Sequence, residues 1–225
     1  MNTSDYEYDY NLKFILIGDT NVGKSNLILR YTHNDFALNY KPTIGVEFSN
    51  KYVTSKSNTK YQLKIWDTSG QERFKSIVRS FYINTACAIV VYDITSRETF
   101  KSCEYWIEET KCVSEHVTLI LVGNKNDLQD ARVISEDEGK TLAEEHGMLF
   151  IETSAKTGSN VNELFKMLVE TVDNNISEGL YDFSDDNTGI TRYNKNKKSV
   201  LTYDNCITEE DKGKKRKGRK NSRVK

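Results

Sequence analysis

The sequence predicts an α/β domain built on a six-stranded, mostly parallel sheet, with one antiparallel edge strand and helices on both faces. Short apolar runs alternate with longer segments of helical period. The runs, which predict strands, are 13–17, 61–66, 87–94, 118–124 and 148–152, and the helical segments are 24–31, 73–82, 99–113, 136–146 and 161–175. One further run, 46–53, is joined to 61–66 by the turn-rich sequence SKSNTK, which predicts the antiparallel hairpin at the edge of the sheet. Ser135 and Glu138 form a capping-box pattern at the start of the segment 136–146.

The length of 225 residues allows one domain with an extension at each end. We expect the domain to cover residues 12–178. Residues 1–11 are polar, acidic and rich in tyrosine, and they predict a flexible extension. The helical period ends at about Gly179, and residues 179–225, in which Asn, Asp, Ser, Thr and Lys dominate, predict a disordered tail.

The net charge of −1 conceals an uneven distribution of charge along the chain. Residues 212–225 contain nine Lys or Arg and no acidic residue, which leaves 23 basic against 33 acidic residues in 1–211. No apolar run approaches the roughly 18–20 residues that span a bilayer, and the acidic start is unlike a secretory signal. We therefore expect a cytoplasmic protein. Its four cysteines show no CxxC spacing, and we interpret them as reduced thiols.

A phosphate-binding loop is predicted where the first strand meets the first helix. Residues 18–25 read GDTNVGKS, which fits G-x-x-x-x-G-K-[ST] directly after the strand 13–17. In such a loop the backbone amides surround the β-phosphate, the lysine reaches the β and γ oxygens, and the hydroxyl binds Mg²⁺. The alternative is a glycine-rich turn that only connects strand and helix. The predicted nucleotide-binding residues here are Asp19, Thr20, Asn21, Val22, Gly23, Lys24, Ser25 and Asn26.

A second motif indicates which base the nucleotide carries. Asn124, Lys125 and Asp127 lie at the carboxyl end of the strand 118–124, where ligands of open α/β sheets bind. The carboxylate of Asp127 only accepts hydrogen bonds, and guanine offers it two donors on one edge, which adenine lacks. Taken alone, the string NKND is also compatible with an ordinary polar turn. A second loop suited to the base follows the next strand and consists of Ser154, Ala155 and Lys156.

The hairpin strand 61–66 leads into a string that predicts catalysis, WDTSGQE at 66–72. Asp67 is placed to hold Mg²⁺ through water, and Gly70 can offer its N–H to a γ-phosphate with no side chain in the way. The amide of Gln71 is then next to the attacking water, from which it can accept a hydrogen bond. Gln71 and Lys24 are therefore the predicted catalytic residues, with an ordinary surface glutamine as the alternative for Gln71.

These motifs, in this order and spacing, resemble those of the Ras-like GTPases over about residues 12–176. The strings YKPTIGVEF (40–48), WDTSGQERF (66–74) and SFY (80–82) are similar to those of the Rab branch in particular. The resemblance implies the P-loop NTPase (small G-protein) fold and a GTP/GDP switch with Mg²⁺ as cofactor. It also implies that Thr43 binds Mg²⁺ and senses the γ-phosphate, that Phe36 packs against guanine, and that Tyr40 contacts the nucleotide.

The Rab resemblance further implies an effector-facing surface and a role in vesicle-mediated transport. The expected partners are a guanine nucleotide exchange factor, a GTPase-activating protein and effectors. The implied surface includes an aromatic cluster that is partly exposed, although core packing is the alternative for such residues. The aromatic cluster consists of Phe48, Trp66 and Phe81, and the effector-facing residues are these three together with Ile44 and Gly45.

The predicted reaction is slow hydrolysis of GTP by in-line attack of water, with charge stabilised by Mg²⁺, Lys24 and the loop amides. No arginine is obviously placed to assist in cis, so a GTPase-activating protein should accelerate the reaction by ~10³–10⁵. Loss of the γ-phosphate would free Thr43 and Gly70, and both switch loops would relax. Ser69, Thr20 and Asn21 are bulkier than the usual residues of the family, and we expect them to affect the rate more than nucleotide binding.

The tail departs from the Rab pattern, because the chain ends in NSRVK without a cysteine. We expect no prenylation there and, since Asn2 follows Met1, no N-myristoylation. The basic residues 212–225 predict reversible contact with an anionic membrane, and hence peripheral association with endomembranes. Nuclear localisation is the alternative, and no nucleic acid partner is expected. Two other functions stay open, a nucleotide-dependent binding module with little turnover and a nuclear-transport GTPase; a nucleotide kinase or transport ATPase fits least well.

Overall fold

The computed structural model describes residues 7–38, 42–71, 79–114, 116–183 and 186–193. Their strands form one mixed sheet in the order β2-β3-β1-β4-β5-β6, with β7 paired to β1. The pairs β1·β3, β1·β4, β4·β5 and β5·β6 are parallel, whereas β2·β3 and β1·β7 are antiparallel. The strands are β1 (Tyr10–Ile17), β2 (Val46–Thr54), β3 (Lys60–Thr68), β4 (Cys87–Asp93), β5 (Thr118–Asn124), β6 (Leu149–Thr153) and β7 (Ile190–Arg192).

The described helices lie close to the predicted segments. They are α1 (Lys24–His33), α2 (Arg97–Lys101), α3 (Cys103–Lys111), α4 (Glu136–Glu145) and α5 (Val161–Ser177), with short 3₁₀ turns at Gln129–Ala131 and Asp186–Thr188. The segment predicted as one helix at 99–113 is divided at Ser102 and begins earlier, because the Ser96 side chain caps its first turn. The capping box at Ser135 and Glu138 is confirmed. Most of the helix predicted at 73–82 lies outside the described residues.

The sheet separates two clusters of buried apolar side chains. Along β1 the residues alternate, so that Phe14 and Leu16 face the cluster beneath α1 and α5, while Ile15 and Ile17 face the cluster beneath α3 and α4. Every residue of β4, in the middle of the sheet, is buried. This is the pattern of a parallel strand covered on both faces, and it confirms the predicted α/β fold.

The amino-terminal boundary of the domain differs from the prediction. Residues 1–11 are predicted to be a flexible extension, but β1 begins at Tyr10 and pairs with β3 from Tyr10↔Tyr61 onward. The Asp9 N–H donates to the Lys60 carbonyl oxygen over 2.7 Å, and the rings of Tyr10 and Tyr61 are stacked 5.7 Å apart. Tyrosine side chains in this acidic stretch thus pack against other aromatic rings. The acidic composition, on which the prediction of a flexible extension rested, gives no sign of this packing. Residues 1–6 lie outside the described residues.

The carboxyl-terminal boundary also differs, because the segment after α5 returns to the sheet. Tyr181 and Ile190 are buried, and β7 pairs with Tyr10–Leu12 on the edge of β1 that β4 leaves uncovered. The Tyr193 N–H donates to the Asp9 carbonyl oxygen over 2.8 Å. The predicted disordered tail is therefore wrong for 181–183 and 186–193, and the sheet has seven described strands instead of six. Residues 184–185 and 194–225 lie outside the described residues.

Gly189 allows the chain to enter β7. Its φ is +69°, a conformation that favours glycine, and a Cβ there would lie 2.3 Å from the Ala86 nitrogen. The Gly189 carbonyl accepts a hydrogen bond from the Lys13 N–H over 3.0 Å. We call residues 181–183 and 186–193 the return segment. Among the described residues, no helix has both the length and the apolar character needed to cross a bilayer.

We predict that Ile190→Ala lowers the free energy of unfolding by about 2–3 kcal/mol, because it removes a buried side chain that only the return segment contributes. Urea denaturation of the full chain measures this change. The matched control is Thr191→Ala in the same strand, whose side chain is exposed and whose effect should stay within about 0.5 kcal/mol. Equal unfolding free energies for the two variants would show that burial of the Ile190 side chain adds nothing to stability.

Candidate nucleotide-binding site

A cavity of 340 Å³ opens at the carboxyl ends of β1, β3 and β5, the edge at which open α/β sheets bind ligands. Most of the residues predicted to bind a nucleotide line it together with the predicted catalytic residue Gln71, although they come from six separate segments. They are Thr20, Asn21, Gly23, Lys24, Ser25, Asn26, Phe36, Thr43, Gly70, Gln71, Asn124, Lys125, Asp127, Ala155 and Lys156. Sequence reasoning missed four other residues of the lining, namely Leu38, Pro42, Thr68 and Leu128, whereas Ser69, expected to affect the rate, also lines it.

The loop between β1 and α1 requires glycine at both ends. Gly18 has φ +136°, and a Cβ there would lie 2.2 Å from the Val91 carbonyl oxygen; Gly23 has φ +99° and directly precedes α1. No side chain caps the start of α1, and its first turn has no acidic residue. The amide groups of this turn therefore remain available for an anion, at the positive end of the helix.

The ammonium group of Lys24 is buried within this loop. Its Nζ donates to the carbonyl oxygens of Gly18 and Asp19, each over 2.7 Å. Burial lowers the pKa of Lys24 to about 8, although the carboxylates of Asp67 and Asp19 act in the opposite direction. An ammonium group has three N–H donors, so one is left for a phosphate oxygen.

Three predicted metal ligands converge beside the lysine. Ser25 Oγ lies 2.9 Å from Thr43 Oγ1, and both hydroxyls donate to Asp67 Oδ2. The other oxygen, Asp67 Oδ1, is buried and has no hydrogen-bond partner among the described residues. Burial raises the pKa of Asp67, although its bonds to Ser25 and its proximity to Lys24 oppose this. A carboxylate with an unsatisfied oxygen between two hydroxyls fits a hard divalent cation.

The chemistry of these donors is that of a magnesium site completed by its ligand. Among the described residues no group of three or more His, Cys, Asp or Glu side chains is placed to hold a metal ion. The protein therefore offers two hydroxyls and one carboxylate, and the remaining positions would be left to phosphate oxygens and water. Magnesium characteristically binds in this way, through few protein oxygens together with substrate phosphates.

The loops predicted to bind the base are joined by Asn124 and Ser154. Asn124 Nδ2 donates to the Val22 carbonyl oxygen over 2.8 Å, while its Oδ1 accepts from the Ala155 N–H over 3.3 Å. Ser154 Oγ donates to Asp127 Oδ1 over 2.6 Å, which orients the carboxylate. Bonds made by Asn124 and Ser154 thus connect the phosphate loop at Val22 with both base-binding loops. Ser154 occupies only Oδ1 of Asp127, which leaves Oδ2 as the oxygen that can accept a hydrogen bond from a base.

Two further ion pairs position this end of the cavity. Lys125 has φ +70° and its Nζ lies 2.6 Å from Asp93 Oδ2, while Asp93 Oδ1 accepts from the Thr95 N–H and hydroxyl. Lys156 Nζ lies 3.8 Å from Asp127 Oδ2. Sequence reasoning missed Asp93, although an acidic residue at the carboxyl end of a buried strand was a signal for it. Asp93 fixes the side chain of Lys125 beside the cavity.

The segments around Thr43 and Gly70 meet at the phosphate end. A Cβ on Gly70 would lie 2.3 Å from the Asp19 carbonyl carbon, so its backbone packs directly against the phosphate loop. The Gln71 N–H donates to Ser69 Oγ over 3.3 Å, and the Ser69 N–H donates to the Gly45 carbonyl over 2.9 Å. The backbone bond between Ser69 and Gly45 thus links the two segments on either side of the hairpin β2–β3.

The remaining predicted contacts lie on the segment after α1. Asn26 exchanges two hydrogen bonds with the backbone of Ala37, at 3.1 and 3.0 Å, and so holds this segment against α1. Phe36 lines the cavity and packs against the first core cluster. Tyr40 lies outside the described residues.

Three of the residues predicted to face effectors, Phe48, Trp66 and Phe81, pack their rings together. The ring of Trp66 lies 4.9 Å from that of Phe48 and 5.3 Å from that of Phe81, and Phe48 is 43% exposed. Ile44 is 77% exposed, next to Gly45 at φ +75°. Trp66 and Phe81 also pack against the second core cluster. The aromatic residues are therefore partly exposed, as the resemblance implies, and partly packed in the core, as the alternative predicts. We call Ile44, Gly45, Phe48, Trp66 and Phe81 the aromatic surface.

We predict that the affinity for GDP falls as pH rises above 8, because the pKa of Lys24 is lowered to about 8 and phosphate binds the charged ammonium group. Below pH 8 the lysine is already protonated, and binding takes up no proton there. Above pH 8 binding takes up a proton, and the affinity falls by up to about tenfold per pH unit. Calorimetry in buffers of different ionisation enthalpy measures the uptake.

Lys24→Arg is the control for this titration, since a guanidinium stays charged throughout the range. Proton uptake near pH 8 should disappear in this variant. If it persists, another group is responsible for the pH dependence.

The geometry agrees with a comparison at the level of families. A sequence model of the Ras family matches residues 13–174, which run from β1 to α5 and include the phosphate loop, the hairpin and both base-binding loops. Members of this family are GTP-hydrolysing switches that bind GTP or GDP, typically with Mg²⁺, and interact with exchange factors, activating proteins and effectors. The chain belongs to the Ras family.

Proposed function

We propose that this protein is a Rab-type GTP/GDP switch of vesicle-mediated transport. The observation that carries the proposal is the position of the aromatic surface between the two segments that meet the phosphates. Phe48 and Trp66 are direct partners across β2 and β3. Thr43 lies three residues before β2, and Gly70 lies two residues after β3. A change at the γ-phosphate therefore reaches the aromatic surface through one hairpin.

The switch works through groups that only the triphosphate engages. Thr43 Oγ1 and the Gly70 N–H are the two groups assigned to the γ-phosphate and its cation, and the bond from the Ser69 N–H to the Gly45 carbonyl joins their segments. When the γ-phosphate leaves, both segments lose a ligand contact. The affinity of an effector for the aromatic surface then falls, because the surface is no longer held in one arrangement.

Hydrolysis requires water to attack the γ-phosphorus in line with the leaving oxygen. Gln71 lines the cavity next to Gly70, where its side-chain amide accepts a hydrogen bond from that water. Lys24 and the amide groups at the start of α1 stabilise the charge on the phosphate oxygens. A magnesium ion held by Ser25, Thr43 and Asp67 would supply further neutralisation of this charge.

Unaided turnover should be slow. No arginine belongs to the described lining of the cavity, so the described residues provide no guanidinium to stabilise the transition state. In nucleotide hydrolases of this kind an arginine supplied by an activating protein contributes about 10³–10⁵ in rate. We therefore propose that a GTPase-activating protein sets the lifetime of the GTP state.

We predict that Gln71→Leu slows single-turnover hydrolysis of bound GTP by about tenfold or more, because leucine cannot orient the water. The rate is measured on the full chain loaded with GTP, as phosphate released over time. The matched control is Gln62→Leu, the same substitution in β3, where Gln62 Nε2 donates to the Tyr52 hydroxyl at the opposite end of the strand from the cavity.

Equal rates for Gln71→Leu and the wild type would remove the catalytic role of Gln71. That result would favour the second candidate function, a nucleotide-dependent binding module with little turnover. Ser69 is the observation on which this candidate rests: its buried hydroxyl accepts the Gln71 N–H and lies at the phosphate end of the cavity.

The proposal for membrane contact depends on the basic residues 212–225, which lie outside the described residues. Each basic residue near an anionic leaflet contributes at most about 1 kcal/mol. We predict that the full chain sediments with vesicles rich in phosphatidylserine at low salt and that deletion of 212–225 abolishes this sedimentation.

In cells, the tagged full chain should localise to endomembranes and the deleted form to the cytoplasm. Nuclear accumulation that depends on 212–225 would instead support the nuclear-transport alternative.

A further inference from the structure

A side chain of α3 contacts the phosphate loop, although α3 and α1 lie on opposite faces of the sheet. Trp106 is the largest fully buried side chain among the described residues, with 1% of its surface exposed. A buried indole N–H needs an acceptor, and Trp106 Nε1 donates to Asp19 Oδ1 over 2.9 Å. The two residues are 87 positions apart in the chain. A charge-assisted hydrogen bond therefore joins the second core cluster to the loop that faces the phosphates.

Asp19 is the residue at which the phosphate end of the cavity is assembled. Its carbonyl oxygen accepts from Lys24 Nζ over 2.7 Å. A Cβ on Gly70 would lie 2.3 Å from its carbonyl carbon and 2.4 Å from the Thr20 nitrogen. The peptide group between Asp19 and Thr20 thus contacts both the catalytic lysine and the glycine assigned to the γ-phosphate. A rotation of this peptide would displace both groups.

The residues that follow Asp19 are poorly supported by packing. Thr20 and Asn21 are exposed, and Asn21 adopts φ +63°, a conformation that is uncommon outside glycine. The next residue of the loop that packs against the protein is Val22, which is buried and whose carbonyl oxygen accepts a hydrogen bond from Asn124. The hydrogen bond that Trp106 donates to the Asp19 side chain therefore holds the first half of the loop, whereas Asn124 holds the second half at Val22.

We propose that Trp106 is a positioning residue for nucleotide binding and hydrolysis: its indole N–H holds the Asp19 carboxylate and thereby sets the orientation of the peptide that contacts Lys24 and Gly70. The proposal rests on the proposed GTPase function. Without the bond, the loop samples orientations in which the lysine and the amides are misaligned. Part of the binding free energy is then spent on ordering the loop, and the reacting groups are less well aligned.

Three substitutions separate this role from packing. Trp106→Phe keeps an aromatic ring in the core and removes the donor, Asp19→Ala removes the acceptor, and Asp19→Asn keeps an Oδ1 acceptor in the same place. If the bond positions the loop, Trp106→Phe and Asp19→Ala act through one interaction, so their combination is no worse than either alone. Loss of core packing at Trp106 would be independent of the residue at position 19.

The experiment measures the dissociation rate of a fluorescent GDP analogue and the single-turnover rate of GTP hydrolysis, on the full chain with Mg²⁺. We expect Trp106→Phe and Asp19→Ala each to accelerate dissociation by about tenfold and to slow hydrolysis, with the double variant equal to the single ones. Asp19→Asn should restore both rates to within about threefold of the wild type.

Additive effects in the double variant, wild-type rates in Trp106→Phe, or an Asp19→Asn variant as impaired as Asp19→Ala would each overturn the positioning role. These outcomes leave the proposed GTPase function intact, because the wild type is active in all of them. A wild-type protein that neither retains GDP nor hydrolyses GTP would overturn both.

Discussion

A buried ammonium group is stable only where several acceptors surround it, and this requirement organises the phosphate end of the protein. Lys24 Nζ is held by the carbonyl oxygens of Gly18 and Asp19, with the carboxylate of Asp67 nearby. The first two acceptors exist only because the loop curls back over the start of α1, which glycine at 18 and 23 permits. The same curl exposes the first amide groups of the helix. The backbone conformation that surrounds the Lys24 ammonium group thus also forms the pocket in which phosphate binds.

From this loop, contacts extend to the other segments of the site. Asn124 joins it to both base loops, Gly70 packs against it, and Asp67 holds the hydroxyls of Ser25 and Thr43. The hairpin β2–β3 connects the last two contacts to the aromatic surface. This arrangement explains how the loss of a single phosphate group would change a surface whose residues do not line the cavity.

The regular elements and the phosphate loop could be predicted, because periodicity reports which face of a segment is buried and the loop is encoded in eight consecutive residues. Contacts between distant segments could not. Asn124 follows the expected strand, yet its side chain bonds to Val22 and Ala155. Asp93 and Trp106 have partners 32 and 87 positions away, which no local pattern encodes. The strand β7 has only three residues, little more than one two-residue repeat of alternating side chains. Its sequence pattern therefore could not be distinguished from the polar segment around it.

The return segment has a practical consequence for anyone who expresses this domain. A protein that ended at residue 178 would retain every predicted nucleotide-binding motif but would uncover the edge of β1 at Tyr10–Leu12, where β7 normally occupies the backbone donors and acceptors. Uncovered strand edges recruit other chains, so such a truncation would invite self-association through the sheet. Aggregation of the shortened protein could then be mistaken for a property of the switch, and a recombinant domain should extend at least to Tyr193.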